Sequence, residues 1–458
     1  MTSVASPRGL AWELCRRVFS DGAYANLAWD DILGQSTLSR EEKAFATHLA
    51  YGTLRHAGTI DAIIEKASGR ERSLLDSGVW WVLQLGTFQW LWMRTPSHAA
   101  VNESVKLCKK VGHHPASGLV NAVMRKVTAH DLPTWLDLIT ERVDDPAEEQ
   151  GLRHAHPAWI VRLLEEALAD SEPAGSDSEL VALLDAHNDP ATPTLVMLPG
   201  LATKKPTETP TPYSPYGVYQ GEGSPGTDKR VREGLARVQD EGSQLAALVV
   251  TLAEPIERPL AVADMCSGPG GKSALLQALL QPTGSSLTAM EKAPHRADLV
   301  RQALAPFAHL PTPPRVVTGD AGDTMAAEQV TYDRILLDAP CTGLGALRRR
   351  PESRWRKSAA DLDALVALQR KLLSEAVGHT KEGGIIVYVT CSPVVAETTN
   401  QMAWLASSYP VTMLDTPAIM EAVSNRVMDG HRRGTAVQLW PHRHHTDAMF
   451  IQAIRRDR

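Results

Sequence analysis

Cysteine is scarce in this chain, and no two cysteines stand close together. Five occur among the 458 residues, at Cys15, Cys108, Cys266, Cys341 and Cys391. A disulfide framework or a zinc ribbon needs closely spaced pairs, and an odd total leaves one thiol over. We therefore expect free thiols, no bound metal and a reducing compartment such as the cytoplasm.

Long apolar runs are also missing. The most apolar stretch, residues 79–93, contains Gln84, Thr87 and Gln89 and is too short and too polar to span a bilayer. Residues 1–8 show no basic segment followed by an apolar one, so no secretion signal is expected there. The sequence predicts a buried helix near residues 79–93 and no membrane partner.

The chain lacks an excess of positive charge. Its formal net charge is −6, so any binding of nucleic acid must come from local patches. One such patch lies in residues 345–357, which contain a single acid, Glu352, and the aromatic Trp355. Its basic residues are Arg348, Arg349, Arg350, Arg354, Arg356 and Lys357. This composition is typical either of a solvated surface loop or of a segment that binds RNA.

The chain divides into three segments of different character. Residues 1–143 have helical periodicity almost throughout, with one helix start marked by Ser39. Residues 144–236 contain linker-like stretches and predict a small mixed connector. Residues 237–458 alternate strands and helices, which predicts a doubly wound α/β sheet with its ligand site at the carboxyl ends of the strands. Two final strands with no helix between them predict an antiparallel hairpin at one edge.

A glycine-rich loop follows the first strand of the α/β segment. It comprises Cys266, Ser267, Gly268, Pro269, Gly270, Gly271 and Lys272. The glycines let the backbone approach a ligand closely, and the next helix offers free amide donors. A nucleotide-hydrolase loop would need glycine where Cys266 stands, and the GxGxxG spacing of a dinucleotide fold is absent. The loop therefore favours S-adenosylmethionine as the cofactor.

Two acids follow the next strands in the order that this cofactor requires. Glu291 ends the second strand, where a carboxylate accepts hydrogen bonds from ribose hydroxyls. Asp320 follows the third strand, where a carboxylate can contact the adenine. Each acid taken singly is equally consistent with a strand-end cap. In combination with the glycine loop, the two acids favour S-adenosylmethionine.

A carboxylate and two thiols are predicted at the same edge of the sheet. Asp338 and Cys341 follow the fourth strand, and Cys391 follows the fifth. A buried thiol is usually inert, whereas two thiols that directly follow adjacent strand ends indicate a catalytic role. Carbon 5 of cytosine is a poor nucleophile until a thiolate adds to carbon 6, and Asp338 can then bind the base edge near N3. These residues predict methyl transfer to carbon 5 of cytosine.

The motifs resemble those of bacterial ribosomal RNA (cytosine-5) methyltransferases of the RsmB (Sun/Fmu) type, in the RsmB/NOP family. Residues 266–272 look like the family's cofactor loop, residues 338–343 like its DAPCxG motif and residues 390–392 like its TCS motif. The resemblance implies that Cys391 is the nucleophile and that Cys341 assists product release. It implies a class I (Rossmann-like) S-adenosylmethionine methyltransferase domain in residues 237–458 and a NusB-like RNA-binding domain in residues 1–143.

The resemblance also implies contacts with RNA. The basic patch is similar to the family's RRxPxxxW segment, and the residues expected to meet the RNA are Arg348, Arg349, Arg350, Arg354, Trp355 and Arg356. We expect a monomer that acts on small-subunit (16S) ribosomal RNA. After the TCS motif, the family's usual pair of acids and an asparagine is reduced here to Glu397. The alternative function is a NusB-like transcription or ribosome-assembly factor whose C-terminal domain does not catalyse.

Overall fold

The computed structural model describes residues 6–221, 223, 225–424 and 426–458. Residues 1–5, the start of the segment expected to carry no secretion signal, lie outside the described residues. The chain forms two compact units. The helical unit comprises Met1–Arg162, Leu184–Asp189 and Leu347–Lys357, and the sheet unit comprises Leu163–Leu183, Pro190–Ala346 and Ser358–Arg458.

These units do not follow the three consecutive segments expected from the sequence. The connector, residues 144–236, is divided between both units. Leu347–Lys357 belongs to the helical unit although both of its neighbours along the chain belong to the sheet unit. The difference arises because compactness depends on contacts between residues far apart in sequence, which composition along the chain does not reveal.

The helical unit confirms the helices predicted for the N-terminal segment. The helix start predicted at Ser39 is confirmed, and it forms a capping box, in which Glu42 N donates to Ser39 Oγ at 3.2 Å and Ser39 N donates to Glu42 Oε2 at 2.9 Å. The predicted buried helix is Ser77–Leu91, which is buried on nearly all sides. The helices are Pro7–Phe19, Ala25–Gly34, Arg40–Arg55, Ala57–Ser68, Ser77–Leu91, Ser97–Lys110, Ser117–Val127, Leu132–Thr140, Pro146–His154 and Ser353–Arg356.

The strands lie in the sheet unit and form two sheets. In chain order they are β1 (Thr194–Met197), β2 (Gly217–Tyr219), β3 (Ala236–Val238), β4 (Ala261–Asp264), β5 (Ser286–Glu291), β6 (Arg315–Thr318), β7 (Tyr332–Asp338), β8 (Thr380–Thr390), β9 (Val411–Met413), β10 (Arg432–Arg433), β11 (Ala436–Gln438) and β12 (Phe450–Arg456). The small sheet has the order β2-β1-β3, and the main sheet has the order β10-β11-β12-β8-β7-β4-β5-β6, with β9 paired to β12. The five strands predicted for the α/β segment are β4 to β8, and all of them pair in parallel.

The predicted C-terminal hairpin is confirmed as antiparallel, but its place in the sheet differs. Strands β11 and β12 pair antiparallel, as expected. However, β12 also pairs with β8 along six residues, so it lies inside the sheet, and β10 takes the edge. The final strand is therefore part of the central sheet that supports the strand-end residues.

Alternating side chains of the central strands pack into two separate cores, one on each face of the main sheet. On β7, Leu336 joins one core, while Ile335 and Leu337 join the other. The helices of the sheet unit are Lys229–Arg232, Glu241–Leu252, Gly271–Leu280, Pro294–Leu304, Ala321–Glu328, Ala360–His379, Thr399–Ser408, Thr416–Glu421 and Pro441–His444. Helices cover both faces, which confirms the predicted doubly wound sheet.

Two further helices, Ala158–Ala169 and Asp177–Asn188, cross the division between the units. No helix within the described residues is long and apolar enough to pass through a membrane.

Candidate active site

The carboxyl ends of four adjacent parallel strands bring the predicted site residues together. Strand β4 ends at Asp264, β5 at Glu291 and β7 at Asp338, and Cys391 directly follows β8. These strands are neighbours in the order β8-β7-β4-β5. The acids and the thiol therefore lie along one edge of the sheet, as the sequence predicts.

Close packing shapes the glycine loop between β4 and the helix Gly271–Leu280. Gly268 N donates to Glu291 Oε2 at 3.1 Å, and a Cβ on Gly268 would lie 2.3 Å from that oxygen. Gly270 has a φ of 99°, a conformation that strongly favours glycine. A Cβ on Gly270 would also lie 2.5 Å from the Cβ of Ala303. The backbone of the loop thus packs where larger residues would not fit.

Asp264 is a residue of this edge that the sequence argument misses. Its Oδ2 accepts a hydrogen bond from Ser273 Oγ at 2.6 Å, but its Oδ1 has no hydrogen-bond partner among the described residues. Burial raises the pKa of Asp264 to about 7. The available signal was the pattern that identified Glu291, an acid at the end of a parallel strand. A buried carboxylate oxygen without a partner marks a place where a polar ligand group fits.

The two acids expected to contact the cofactor also serve as local caps. Glu291 Oε1 accepts from Ala293 N at 2.9 Å, in addition to the contact with Gly268. Asp320 is the N-cap residue of the helix Ala321–Glu328, and its Oδ2 lies 3.2 Å from Lys292 Nζ. The capping alternative is therefore realised for both. Because each carboxylate oxygen has two lone pairs, capping leaves acceptor capacity for a ligand.

Lys272 pairs with Asp338 across the site. Its Nζ lies 2.7 Å from Asp338 Oδ2, and both side chains are mostly buried. Burial alone would lower the pKa of the Lys272 ammonium, but the charge and hydrogen bond of Asp338 outweigh it and raise that pKa. Lys272 was expected to contact the cofactor with the rest of the loop, whereas its observed partner is the candidate base-binding carboxylate.

The two thiols are in contact. Cys341 Sγ and Cys391 Sγ lie 3.5 Å apart, and both side chains are partly accessible to solvent. The hydrogen bond from Cys341 lowers the pKa of the Cys391 thiol, and the Lys272 ammonium also lowers it. Burial raises the pKa of Cys391 and so opposes both effects. The same hydrogen bond and burial raise the pKa of Cys341. The pair is therefore polarised, with Cys391 as the thiol that ionises more readily.

Leu347–Lys357, which contains the basic patch, is part of the packing of the helical unit. Arg354 is fully buried, and its guanidinium donates to Ala155 O at 2.9 Å and Asn188 Oδ1 at 2.8 Å. Trp355 Nε1 donates to Leu54 O at 2.7 Å. Arg348 is also buried.

The expected RNA contact of Arg354 is therefore not available in this conformation, because its charge is enclosed by carbonyl groups. Burial removes Arg348 from the expected surface for the same reason. Arg349, Arg350 and Arg356 are exposed. Because the Arg356 guanidinium already donates to Gly22 O and Ala23 O, Arg349 and Arg350 are the residues of the patch best placed to meet a phosphate.

Comparison with known proteins identifies both parts of the chain. The 16S rRNA methyltransferase RsmB/F family matches residues 250–455, and the NusB family matches residues 5–129. A crystal structure of PH0851 shares the fold with a TM-score of 0.77 and 18% sequence identity, covering 98% of each chain.

Two curated relatives align over almost the whole length. A putative methyltransferase of Mycobacterium tuberculosis is 41% identical over 98% of this chain and 96% of its own. A probable ribosomal RNA small subunit methyltransferase B of Bacillus subtilis is 27% identical over 98% of this chain and 99% of its own. The chain thus belongs to the RsmB/F methyltransferase family and carries a NusB-family domain at its N-terminal end.

Proposed function

We propose that this protein transfers a methyl group from S-adenosylmethionine to carbon 5 of a cytosine in ribosomal RNA, through a covalent bond between Cys391 and carbon 6. The observation that carries the proposal is the contact between the two thiols, 3.5 Å apart, beside the Lys272–Asp338 ion pair. Methyl transfer to a ring nitrogen or an oxygen needs no thiol, whereas carbon 5 needs a nucleophile at carbon 6.

The sheet edge fits S-adenosylmethionine, which supplies an electrophilic methyl group when bound. The unpartnered Oδ1 of Asp264 can accept from the ammonium of its amino-acid portion. The backbone of residues 266–272 offers the amides of a helix N-terminus to the carboxylate of that portion. Glu291 and Asp320 would take the ribose hydroxyls and the adenine. These residues together would hold each polar part of the cofactor.

We expect Gly268→Ala to weaken the binding of S-adenosylmethionine by at least about tenfold, or about 1.4 kcal/mol. The added Cβ would lie 2.3 Å from Glu291 Oε2, so either the loop or the acid must move. Isothermal titration calorimetry of the purified protein measures this. Gly378→Ala is the matched control, because a Cβ there meets open space within the helix Ala360–His379. Equal affinities for the two variants would contradict the assignment of the loop.

The hydrogen bond from Cys341 suits an attack by Cys391, because it lowers the pKa of that thiol. The charge of Asp338 disfavours a thiolate at Cys391, and the Lys272 ammonium offsets part of this effect. Once Cys391 has bonded to carbon 6, negative charge develops on the base, and Asp338 is the residue expected to bind the base edge near N3. After carbon 5 has taken the methyl group, a base removes the proton from that carbon, and the electron pair left behind re-forms the ring double bond and expels the Cys391 sulfur from carbon 6. Cys341, in contact with Cys391, is placed to assist that step.

The sequence relatives and the helical unit support ribosomal RNA as the substrate. The Bacillus subtilis relative is named as a small subunit methyltransferase, and the N-terminal segment matches the NusB family. The exposed Arg349, Arg350 and Arg356 offer positive charge for the RNA backbone. Small-subunit RNA is therefore the substrate to test first.

Release of tritium tests the reaction directly. With a 16S RNA transcript labelled with tritium at carbon 5 of cytosine, we expect one tritium to enter water for each methyl group transferred. Methyl transfer without tritium release would place the methyl group on another atom. Absence of both would favour the non-catalytic RNA-binding alternative. Bisulfite mapping of ribosomal RNA from cells with and without the gene then identifies the modified cytosine.

A further inference from the structure

Glu397 is a fully buried acid that lies behind the thiol pair. It ends the one-turn helix Val395–Glu397, which follows the loop after β8. Its Oε1 accepts from Thr342 N at 2.7 Å and from Gln369 Nε2 at 3.0 Å, and its Oε2 accepts from Thr342 Oγ1 at 2.5 Å. Burying a carboxylate costs folding free energy unless hydrogen bonds compensate for the lost water. The three contacts of Glu397 supply that compensation.

The contacts of Glu397 fix the loop that carries Cys341. Thr342, the next residue along the chain, gives both its backbone N–H and its hydroxyl to the carboxylate. Gln369 also donates to Pro340 O at 2.9 Å, so the residues on both sides of Cys341 are held from the same place. The position of the loop that carries Cys341 therefore depends on Glu397.

The same acid reaches the loop that carries Cys391. Thr342 Oγ1 lies 3.1 Å from Ser392 Oγ. Because the single hydroxyl proton of Thr342 goes to Glu397, Ser392 must be the donor in this contact. A chain of hydrogen bonds thus runs from Ser392 through Thr342 to Glu397 and connects both thiol-bearing loops.

The negative charge of Glu397 also acts on the thiols. It contributes to raising the pKa of Cys341, after the hydrogen bond to Cys391, burial and the charge of Cys391. A proton is therefore favoured on Cys341, from which it can be donated to Cys391. The acid influences both where the two sulfur atoms lie and which of them keeps its proton.

We propose that Glu397 is a positioning residue that holds Cys341 protonated against Cys391 and so decides which of the two thiols attacks the base. The inference rests on the proposed function for its consequence in catalysis. Its physical content, the difference in reactivity between the thiols, can be measured without RNA.

Glu397→Gln separates charge from position. The amide keeps one acceptor oxygen for Thr342 N and Gln369, while its NH₂ group donates to Thr342 Oγ1, whose proton then turns to Ser392. We expect the variant to fold and iodoacetamide to modify Cys341 relative to Cys391 at least about tenfold more than in the parent protein, because the charge that favours the proton on Cys341 is removed. Iodoacetamide at neutral pH, read by mass spectrometry of the two peptides, measures the ratio.

Glu241→Gln is the matched control. Glu241 is also a buried acid of the sheet unit, and it accepts from Tyr213 N at 2.7 Å and Ser214 N at 2.6 Å. Its replacement should leave the alkylation ratio unchanged. A ratio in Glu397→Gln equal to that in Glu241→Gln would overturn the proposal.

The loss of position is tested by Glu397→Ala. A displacement of reacting groups by about 1 Å can cost about a hundredfold in rate, so we expect a loss of that size in kcat with little change in the affinity for S-adenosylmethionine. Rescue of kcat by Glu397→Asp above the alanine variant would support the role, and equal rates for the two would contradict it. If the alkylation ratio shifts but the parent protein itself does not methylate RNA, the positioning role stands and the proposed function fails.

Discussion

Replacing Cys391 with alanine is expected to reduce methyl transfer to unmodified ribosomal RNA on the order of 10⁴-fold or more, because removal of an attacking nucleophile has effects of this size. Cys391 is the thiol whose pKa is lowered and whose sulfur lies at the end of β8. Carbon 5 of cytosine cannot attack the methyl group until carbon 6 carries a nucleophile. Tritium release and radiolabelled methyl transfer, measured in single turnovers, report the loss.

Two controls give this result its meaning. The affinity for S-adenosylmethionine should remain within about twofold, because Cys391 follows β8 and the cofactor loop follows β4. Cys108→Ala removes a buried thiol of the helical unit and should retain activity. Undiminished methyl transfer by Cys391→Ala would show that the nucleophile is wrongly assigned.

Replacing Cys341 with alanine is expected to have the opposite outcome, a stable covalent complex between protein and RNA. Cys391 loses the hydrogen bond that favours its thiolate but can still attack, whereas the loss of the proton from carbon 5, which releases the sulfur, no longer has its assisting group. We expect turnover to slow by at least about a hundredfold, as the loss of an acid–base group does. The adduct would appear as a slower band that survives denaturing electrophoresis.

The dependence of the adduct on both substrates is the decisive observation. It should need S-adenosylmethionine to accumulate fully, and it should vanish in the double variant Cys341→Ala/Cys391→Ala. An adduct that persists without Cys391 would come from another residue. Rapid turnover by Cys341→Ala with no adduct would remove the role in release.

Local sequence is sufficient to predict the edge of the sheet at which the site lies. Apolar strands followed by Glu291, Asp338 and Cys391 identify the carboxyl ends of parallel strands, and each pattern spans only a few residues. The direct contact of Cys341 with Cys391 is also close to what the sequence implies, since β7 and β8 are neighbours. These features depend on short segments whose order in the sheet follows general rules.

Contacts between side chains that are distant in sequence cannot be predicted from such short segments. The sequence places Lys272 in the cofactor loop after β4, but only the structure shows that it pairs with Asp338 at the end of the neighbouring strand β7. Glu397 is prominent in the sequence as the remaining acid of a reduced motif, yet only the structure brings it to Thr342.

Composition also misleads about Arg354. Six basic residues within ten positions suggest a solvent-exposed surface. The guanidinium of Arg354 is nevertheless enclosed by acceptors from residues more than 150 positions away in sequence. No pattern along the chain distinguishes Arg354 from its exposed neighbour Arg350. The distinction depends on tertiary contacts, because the acceptors that make the buried charge of Arg354 tolerable come from distant parts of the chain.

The position of Trp355 has a consequence for the order in which the chain becomes native during synthesis. Its ring fills the space beside Gly58, where a Cβ would lie 2.5 Å from the indole. The helices of the N-terminal domain leave the ribosome first, but Trp355 emerges roughly 200 residues after Arg162. At about 5–20 residues per second this interval lasts roughly 10–40 s. During that time the surface beside Gly58 that the indole later covers stays open to solvent, so this part of the N-terminal domain reaches its native packing only late in synthesis.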